Sequence, residues 1–302
     1  MNGKGALAGL CAGRAPFRGQ RMCATHAPHN KENQEVKIYG ESERNTGLPT
    51  PRLTLDDGRT HPGAWVSFRD PAVVDTLAAE GFDWICIDGQ HRGPETHEMQ
   101  PLIEAAHLFS VPSIVRAPGH DMGIIGRILD SGAGGIIFPT VETAVSAASL
   151  IAACRFPSRG NRSYGPTRRS PRYPKPVPGN PQDDTLCILM IETAGGLANL
   201  DEILATGPDG IFVGPYDLSL SLGITLEELT GEGQDGILAD IARRCTAAGV
   251  TPGIYTGEPE LSERMAALGF RFMPTASDTG LLAVAARNAV SASRRPAASV
   301  MN

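Results

Sequence analysis

The sequence predicts a single barrel of eight parallel strands, each followed by a helix. Three observations carry this. Short aliphatic runs alternate with segments whose apolar residues recur at helical spacing. The chain of 302 residues has room for one barrel domain of roughly 250 residues. No G-x-G-x-x-G follows a predicted strand, which disfavours the alternative, a doubly wound sheet.

The elements follow from period and punctuation. Residues 64–67 form the first strand. Pro71–Ala79 is a helix with proline at its start, where the missing N–H costs nothing. Trp84–Asp88 is a second strand, and residues 99–108 are helical. Ser113–Arg116 is the third strand, followed by a helix at Met122–Asp130 that Gly132 ends. Gly135–Phe138 is the fourth strand, followed by an alanine-rich helix at 143–154. Residues 187–191 and 210–213 are continuous apolar runs, as suits strands buried on both faces. The first is closed by Glu192, the second by Gly214-Pro215-Tyr216-Asp217, and a helix at 196–205 joins them. After Asp217 come a helix at 237–248, a strand at 251–255, a helix at 261–268, a strand at 270–273 and a helix at 281–293. The glycines at 132, 134 and 135 lie between a helix and a strand, the wrong order for a phosphate loop.

Composition narrows the function. A net charge of -6 without a Lys/Arg run argues against a nucleic-acid surface. No apolar stretch reaches membrane-spanning length. The 6 cysteines form no C-x-x-C pair, which gives no zinc framework and suits a reducing, cytoplasmic setting. Cys86 and Cys187 lie in apolar strand runs as small hydrophobes. Residues 1–30 carry Lys4, Arg14, Arg18 and Arg21 with no acid until Glu32. That pattern resembles a mitochondrial transit peptide, while its glycine and proline content fits a disordered start. The expected organisation is a flexible extension over 1–61, a catalytic barrel over 62–295 and a tail over 296–302.

In a barrel of parallel strands the C-terminal strand ends carry the chemistry. Glu192 and Asp217 both fall there. Two readings stand side by side: the pair holds a hard cation such as Mg²⁺, or Glu192 caps a helix and Asp217 is the N-cap of Leu218-Ser219-Leu220. The second strand ends in Asp88-Gly89-Gln90-His91, where an Asp near a His suits a general base. The third ends in Arg116, a permanent cation able to grip a carboxylate with two hydrogen bonds. The interval 155–184, rich in Arg and Pro, is expected on the catalytic face, where its arginines meet an anionic substrate or form a solvated basic loop. The only lysines are Lys4, Lys31, Lys37 and Lys175, none in a predicted strand. Schiff-base chemistry needs an interior lysine, so carbonyl chemistry here calls for a metal.

Phe82 to His91, Val115-Arg116-Ala117-Pro118, Ile191-Glu192-Thr193 and Val213 to Ser219 together resemble the HpcH/HpaI aldolase family. The resemblance runs from about Gly63 to Val290. It implies a metal-dependent aldolase or lyase of the phosphoenolpyruvate/pyruvate superfamily, using Mg²⁺, Mn²⁺ or Co²⁺. Glu192 and Asp217 would be metal ligands. Arg116 would bind the 2-oxo acid, Asp88 and His91 would form an acid/base dyad, and backbone at Gly214, Pro215 and Tyr216 would touch the pyruvate carboxylate. The implied substrate is a 4-hydroxy-2-oxo acid such as 4-hydroxy-2-oxoheptanedioate or 2-dehydro-3-deoxyglucarate, with pyruvate and an aldehyde as products. The family also implies a homo-oligomer, a trimer of dimers, with the last helix exchanged between subunits. Three departures from its pattern touch substrate choice: Gln90 stands where a Glu is usual, Thr140 stands where members differ, and the loop with Arg162-Ser163-Tyr164-Gly165-Pro166 is longer and richer in proline than in typical members. Oxaloacetate decarboxylation in the manner of macrophomate synthase and an acyl-CoA lyase are the alternatives on the same fold, and a non-catalytic metabolite binder is a third.

Overall fold

The computed structural model describes residues 51–91, 93–165, 176–180, 184–231 and 233–294. Eight strands close into a parallel barrel in chain order. They are β1 (His61–Val66), β2 (Trp84–Asp88), β3 (Ser113–Arg116), β4 (Gly135–Phe138), β5 (Leu186–Ile191), β6 (Gly210–Val213), β7 (Thr251–Ile254) and β8 (Phe272–Ser277). The helices are α1 (Pro71–Ala79), α2 (Thr96–Leu108), α3 (Met122–Asp130), α4 (Ala144–Cys154), α5 (Ala194–Ala198), α6 (Leu200–Leu204), α7 (Pro215–Leu222), α8 (Leu226–Gly231), α9 (Ile237–Ala247), α10 (Pro259–Leu268) and α11 (Asp278–Ser293). The expected fold class holds.

Three details differ from expectation. The helix expected at 196–205 is two short ones, α5 and α6, broken at Asn199, which leaves helical geometry at φ -97, ψ 12. The last strand starts later than expected, because Phe270 closes α10 instead, its N–H donating to Met265 O beyond the left-handed Gly269. A short helix, α8, and a 3-10 turn at Gly233–Asp235 occupy a stretch to which the sequence assigned no element.

Strand side chains alternate with a period of two, so each strand serves two cores. One set, Trp65, Trp84, Cys86, Ile114, Ile137, Ile188, Met190, Phe212 and Phe272, packs as a cluster inside the barrel. The other, including Val66, Ile85, Ile87, Val115, Ile136 and Leu189, packs against the helices. Two strand glycines make room for the interior rings: a Cβ on Gly63 would lie 2.3 Å from Trp84, and one on Gly253 would lie 2.5 Å from Phe272. The core reaches back past the expected start near Pro62, since Leu53 and Leu55 are buried in the interior cluster. Thr251 Oγ1 donates to Leu55 O at 2.8 Å, and His61 lies between Asp57 and Asp83 at 2.9 and 3.1 Å, holding this segment against the barrel.

The described arginines after α4 are on the other face from the one expected. A helix returns the chain to the N-terminal ends of the strands, and Arg155, Arg159 and Arg162 make their contacts there. Arg155 donates to Thr185 O, just before β5, and meets Asp209, just before β6, at 2.5 Å. Arg159 pairs with Asp184, and Arg162 pairs with Asp130 at the end of α3. Arg168, Arg169 and Arg172 lie outside the described residues.

Candidate active site

The inward phase of the strands selects the site. Inside β2 the phase runs Trp84, Cys86, Asp88; inside β3 it runs Ile114, Arg116; along β5 it runs Ile188, Met190 and on to Glu192. Charged side chains thus replace apolar ones only at the last inward position, where the strands open to the C-terminal face. All three are buried: Asp88 at 4%, Arg116 at 8% and Glu192 at 4% exposure.

Asp88 and Arg116 are register partners on neighbouring strands. Arg116 Nε donates to Asp88 Oδ1 at 2.8 Å and its Nη2 to Oδ2 at 2.7 Å. This is the planar, two-bond grip that lysine cannot make. The guanidinium lies over the Trp65 ring, 4.8 Å from its centroid. Trp65 is itself held by Phe212 at 5.9 Å and Tyr255 at 5.2 Å. Burial alone would raise the Asp88 carboxyl; the hydrogen bonds and charge of Arg116, with the Gln90 N–H, more than offset that and hold it below the ordinary carboxylate value. Burial raises the Tyr255 phenol, which shares this rim.

The expected Asp88–His91 dyad is not assembled in this arrangement. Both Asp88 oxygens accept from Arg116, and His91 is exposed with no hydrogen bond to Asp88. Adjacency in sequence does not bring the two together, because the strand register gives Asp88 a closer and permanently charged partner. Gln90 is half-buried; its N–H donates to Asp88 Oδ1 at 3.0 Å, and its side-chain Oε1 is buried without a hydrogen-bond partner among the described residues.

Neither acid of the Glu192/Asp217 pair caps a helix. Thr193 is the N-cap of α5, its hydroxyl accepting from Gly196 N, and Gly214 is the N-cap of α7. Glu192 Oε1 instead accepts from Thr140 N at 2.7 Å and from Thr140 Oγ1 at 2.9 Å. Its Oε2 stands over Gly214, where a Cβ would come within 2.6 Å, so a side chain there would have to displace the Glu192 carboxylate. Pro215 opens α7, Tyr216 and Asp217 follow in the first turn, and both are exposed. Their N–H groups lie where a helix has no acceptor of its own. Sequence reasoning assigned Thr140 to substrate; its donors are on Glu192. It missed Trp65 and Tyr255. The phase that aligns Trp65 with the inward residues of its neighbours was the available signal for the first.

The residues that could hold a divalent cation are therefore Glu192 and Asp217. No group of three or more His, Cys, Asp or Glu side chains able to hold a metal occurs among the described residues. Such a cation would rest on this pair together with water and substrate, the usual habit of Mg²⁺.

Comparison with known proteins agrees with the barrel. The family model for HpcH/HpaI aldolase/citrate lyase matches residues 62–285. A 4-hydroxy-2-oxovalerate aldolase of Rhodococcus jostii (strain RHA1) is 36% identical over 237 residues, 77% of this chain and 91% of the relative. A hydroxypyruvate/pyruvate aldolase of Deinococcus radiodurans is 36% identical over 243 residues, 79% of this chain and 87% of the relative. The crystal structure of an HpcH/HpaI aldolase/citrate lyase family protein from Burkholderia cenocepacia J2315 superposes with a TM-score of 0.71 at 28% identity, covering 80% of this chain and 97% of that one. With its inward Asp88, Arg116 and Glu192 at the open end of an eight-stranded barrel, the chain belongs to the HpcH/HpaI aldolase/citrate lyase family and is a carbon–carbon lyase of the aldolase type.

Proposed function

We propose that the chain is a divalent-metal-dependent aldolase that makes or breaks the bond between pyruvate, or the pyruvate half of a larger 2-oxo acid, and an aldehyde. The observation that carries this reading is Glu192, a buried carboxylate with one oxygen saturated by Thr140 and the other free of any hydrogen bond among the described residues. Asp217 is exposed in the first turn of α7, just beyond Gly214, and the described residues contain no lysine to form a Schiff base. The donors are hard oxygens, which fit Mg²⁺, Mn²⁺ or Co²⁺. When bound, the cation supplies a Lewis acid that draws charge from the 2-oxo carbonyl.

The chain's own residues do the rest. Arg116, fixed by Asp88 beneath it and Trp65 against its face, offers a permanent positive charge to the developing enolate. The free N–H groups at the start of α7 receive the substrate carboxylate, and Gly214 lets it approach closely. His91, on the loop after β2, moves the proton at the pyruvate methyl. Asp88 acts as a positioning residue for Arg116. The substrate class is the 4-hydroxy-2-oxo acids, 4-hydroxy-2-oxoheptanedioate and 2-dehydro-3-deoxyglucarate among them. The names of the relatives support this class. Arg155, Arg159 and Arg162, which had favoured larger anions such as acyl-CoA thioesters, are engaged in ion pairs at the other end of the barrel.

A homo-oligomer completes the proposal. Every residue of α11 after Asp278 is exposed, including Leu281, Leu282, Val284 and Val290. An exposed apolar helix face of this kind supports exchange between copies in a trimer of dimers. Light scattering that gives a monomer would remove this part.

The function is tested with pyruvate in heavy water. Exchange of the methyl protons should require Mg²⁺, Mn²⁺ or Co²⁺ and stop on chelation. His91→Ala should slow it by about 10²–10⁴-fold. Borohydride trapping of a pyruvate adduct would overturn the reading, since only a Schiff base can be trapped that way.

A further inference from the structure

Thr140 departs from two local rules. It is β-branched yet has φ 53, in the left-handed region that such residues rarely enter. It also follows Pro139 on the far side of β4, where the alternation from Ile137 assigns Pro139 the inward phase and Thr140 the outward one. An extended residue here would carry its side chain away from the barrel mouth. The left-handed turn instead brings the N–H and the hydroxyl onto one atom, Glu192 Oε1.

The turn is held from both sides. Pro139 O meets His120 Nε2 at 2.6 Å, and Val141 N donates to Met190 O at 3.2 Å. Strained conformations of this kind persist where surrounding contacts over-determine them, and they gather at functional sites. A carboxylate with a single donor on one oxygen can rotate and present either. Two donors from one rigid residue remove that freedom. The oxygen left over, Oε2, lies against Gly214, on the side where α7 and Asp217 begin.

We propose that Thr140 is the positioning residue of Glu192: it holds Oε1 through both its donors, presents Oε2 to a divalent cation, and so sets the cation affinity of the site. The inference rests on the reading of Glu192 as a metal ligand given above. It also separates the two donors. Any residue that adopts this turn keeps the N–H bond, whereas the hydroxyl bond belongs to Thr and Ser alone.

The experiment is a substrate-free titration with Mn²⁺, following the loss of the free-ion EPR signal, on wild type, Thr140→Val, Thr140→Ser and Glu192→Gln. Circular dichroism melts of the metal-free proteins show that each is folded, and Thr140→Ala takes the place of Thr140→Val if the latter does not fold. Thr140→Val should bind Mn²⁺ about 10–100-fold more weakly, the usual loss when a partner of a metal ligand is removed. Thr140→Ser should bind as wild type does, and Glu192→Gln should lose at least as much as Thr140→Val. Wild-type affinity in Thr140→Val alongside weak binding in Glu192→Gln would overturn the role of Thr140 and leave the metal reading standing. Weak binding in Thr140→Ser equal to that in Thr140→Val would overturn the role of the hydroxyl. Wild-type affinity in Glu192→Gln would overturn both the metal reading and this inference.

Discussion

Arg116 and Arg155 are both buried and both face aspartate, but they sit at opposite ends of the barrel. Arg116 points inward at the C-terminal end and meets one carboxylate, Asp88, with its face against Trp65. Arg155 sits at the N-terminal rim and reaches Thr185 O, Asp184 and Asp209, tying the end of α4 to the starts of β5 and β6. Burial alone would lower its guanidinium; the aspartates around it more than offset that and raise it. Around Arg155 the acceptors belong to backbone and rim. At the mouth, Glu192 Oε2 and the buried Gln90 Oε1 have no hydrogen-bond partner among the described residues, and Asp217 is exposed. Among the described residues Arg155, Arg159 and Arg162 are spent in ion pairs at the rim, whereas at the mouth Glu192 keeps one carboxylate oxygen unbonded. The end at which an arginine lies therefore says more than how many arginines a loop holds.

The sharpest way to break the comparison is to change Arg116 conservatively. Arg116→Lys keeps the charge and loses the fork, so kcat/KM in pyruvate–aldehyde cleavage should fall about 10²–10³-fold, the scale of losing one transition-state donor. Near-normal steady-state kinetics in that variant would place Arg116 among the merely structural residues.

Asp88→Asn is expected to act next most strongly, through stability. It leaves Arg116 buried without its counter-charge, which typically costs about 3–5 kcal/mol. The sign of the pH dependence comes from the lowered carboxyl. A depressed native value stabilises fully above the unfolded value, near about pH 4, and is lost as pH falls through the lower native one. Urea melts should therefore show the gap between wild type and Asp88→Asn at its full size at neutral pH and shrinking below about pH 4. A gap that widens in acid would contradict the pairing.

Arg155→Met should have the smallest effect and a different character. It keeps most of the apolar stem and removes the bonds to Thr185 and Asp209, at about 1.5–3 kcal/mol for a bond to a charged group. The melting temperature should drop while kcat and KM per folded molecule stay as in wild type. A selective rise in KM would mean that the lower rim takes part in substrate binding after all.

Much of the barrel was readable because apolar periodicity and turn residues act locally. Trp84–Asp88, Ser113–Arg116, Met122–Asp130 and Gly135–Phe138 fall where pattern alone put them. The carboxylates at the ends of β5 and β6 were readable for the same reason. What failed was decided by neighbours distant in the chain. His91 follows Asp88 by three residues, yet Arg116, brought alongside by strand register, takes both carboxylate oxygens. Arg155, Arg159 and Arg162 were expected on the catalytic face because they come after the fourth strand, but a helix intervenes and reverses the chain to the other face.

By itself, then, the sequence determined the alternation, and with it the closed parallel barrel and the acids and arginine at its open end. Each of these depends only on spacing along the chain. The tertiary structure alone decided who pairs with whom: Asp88 with Arg116, Thr140 with Glu192, Leu53 and Leu55 with the interior. A hydrogen bond or a packed contact depends on which strands become neighbours and in what register. That is settled only when eight strands close on one another, and no local pattern carries it.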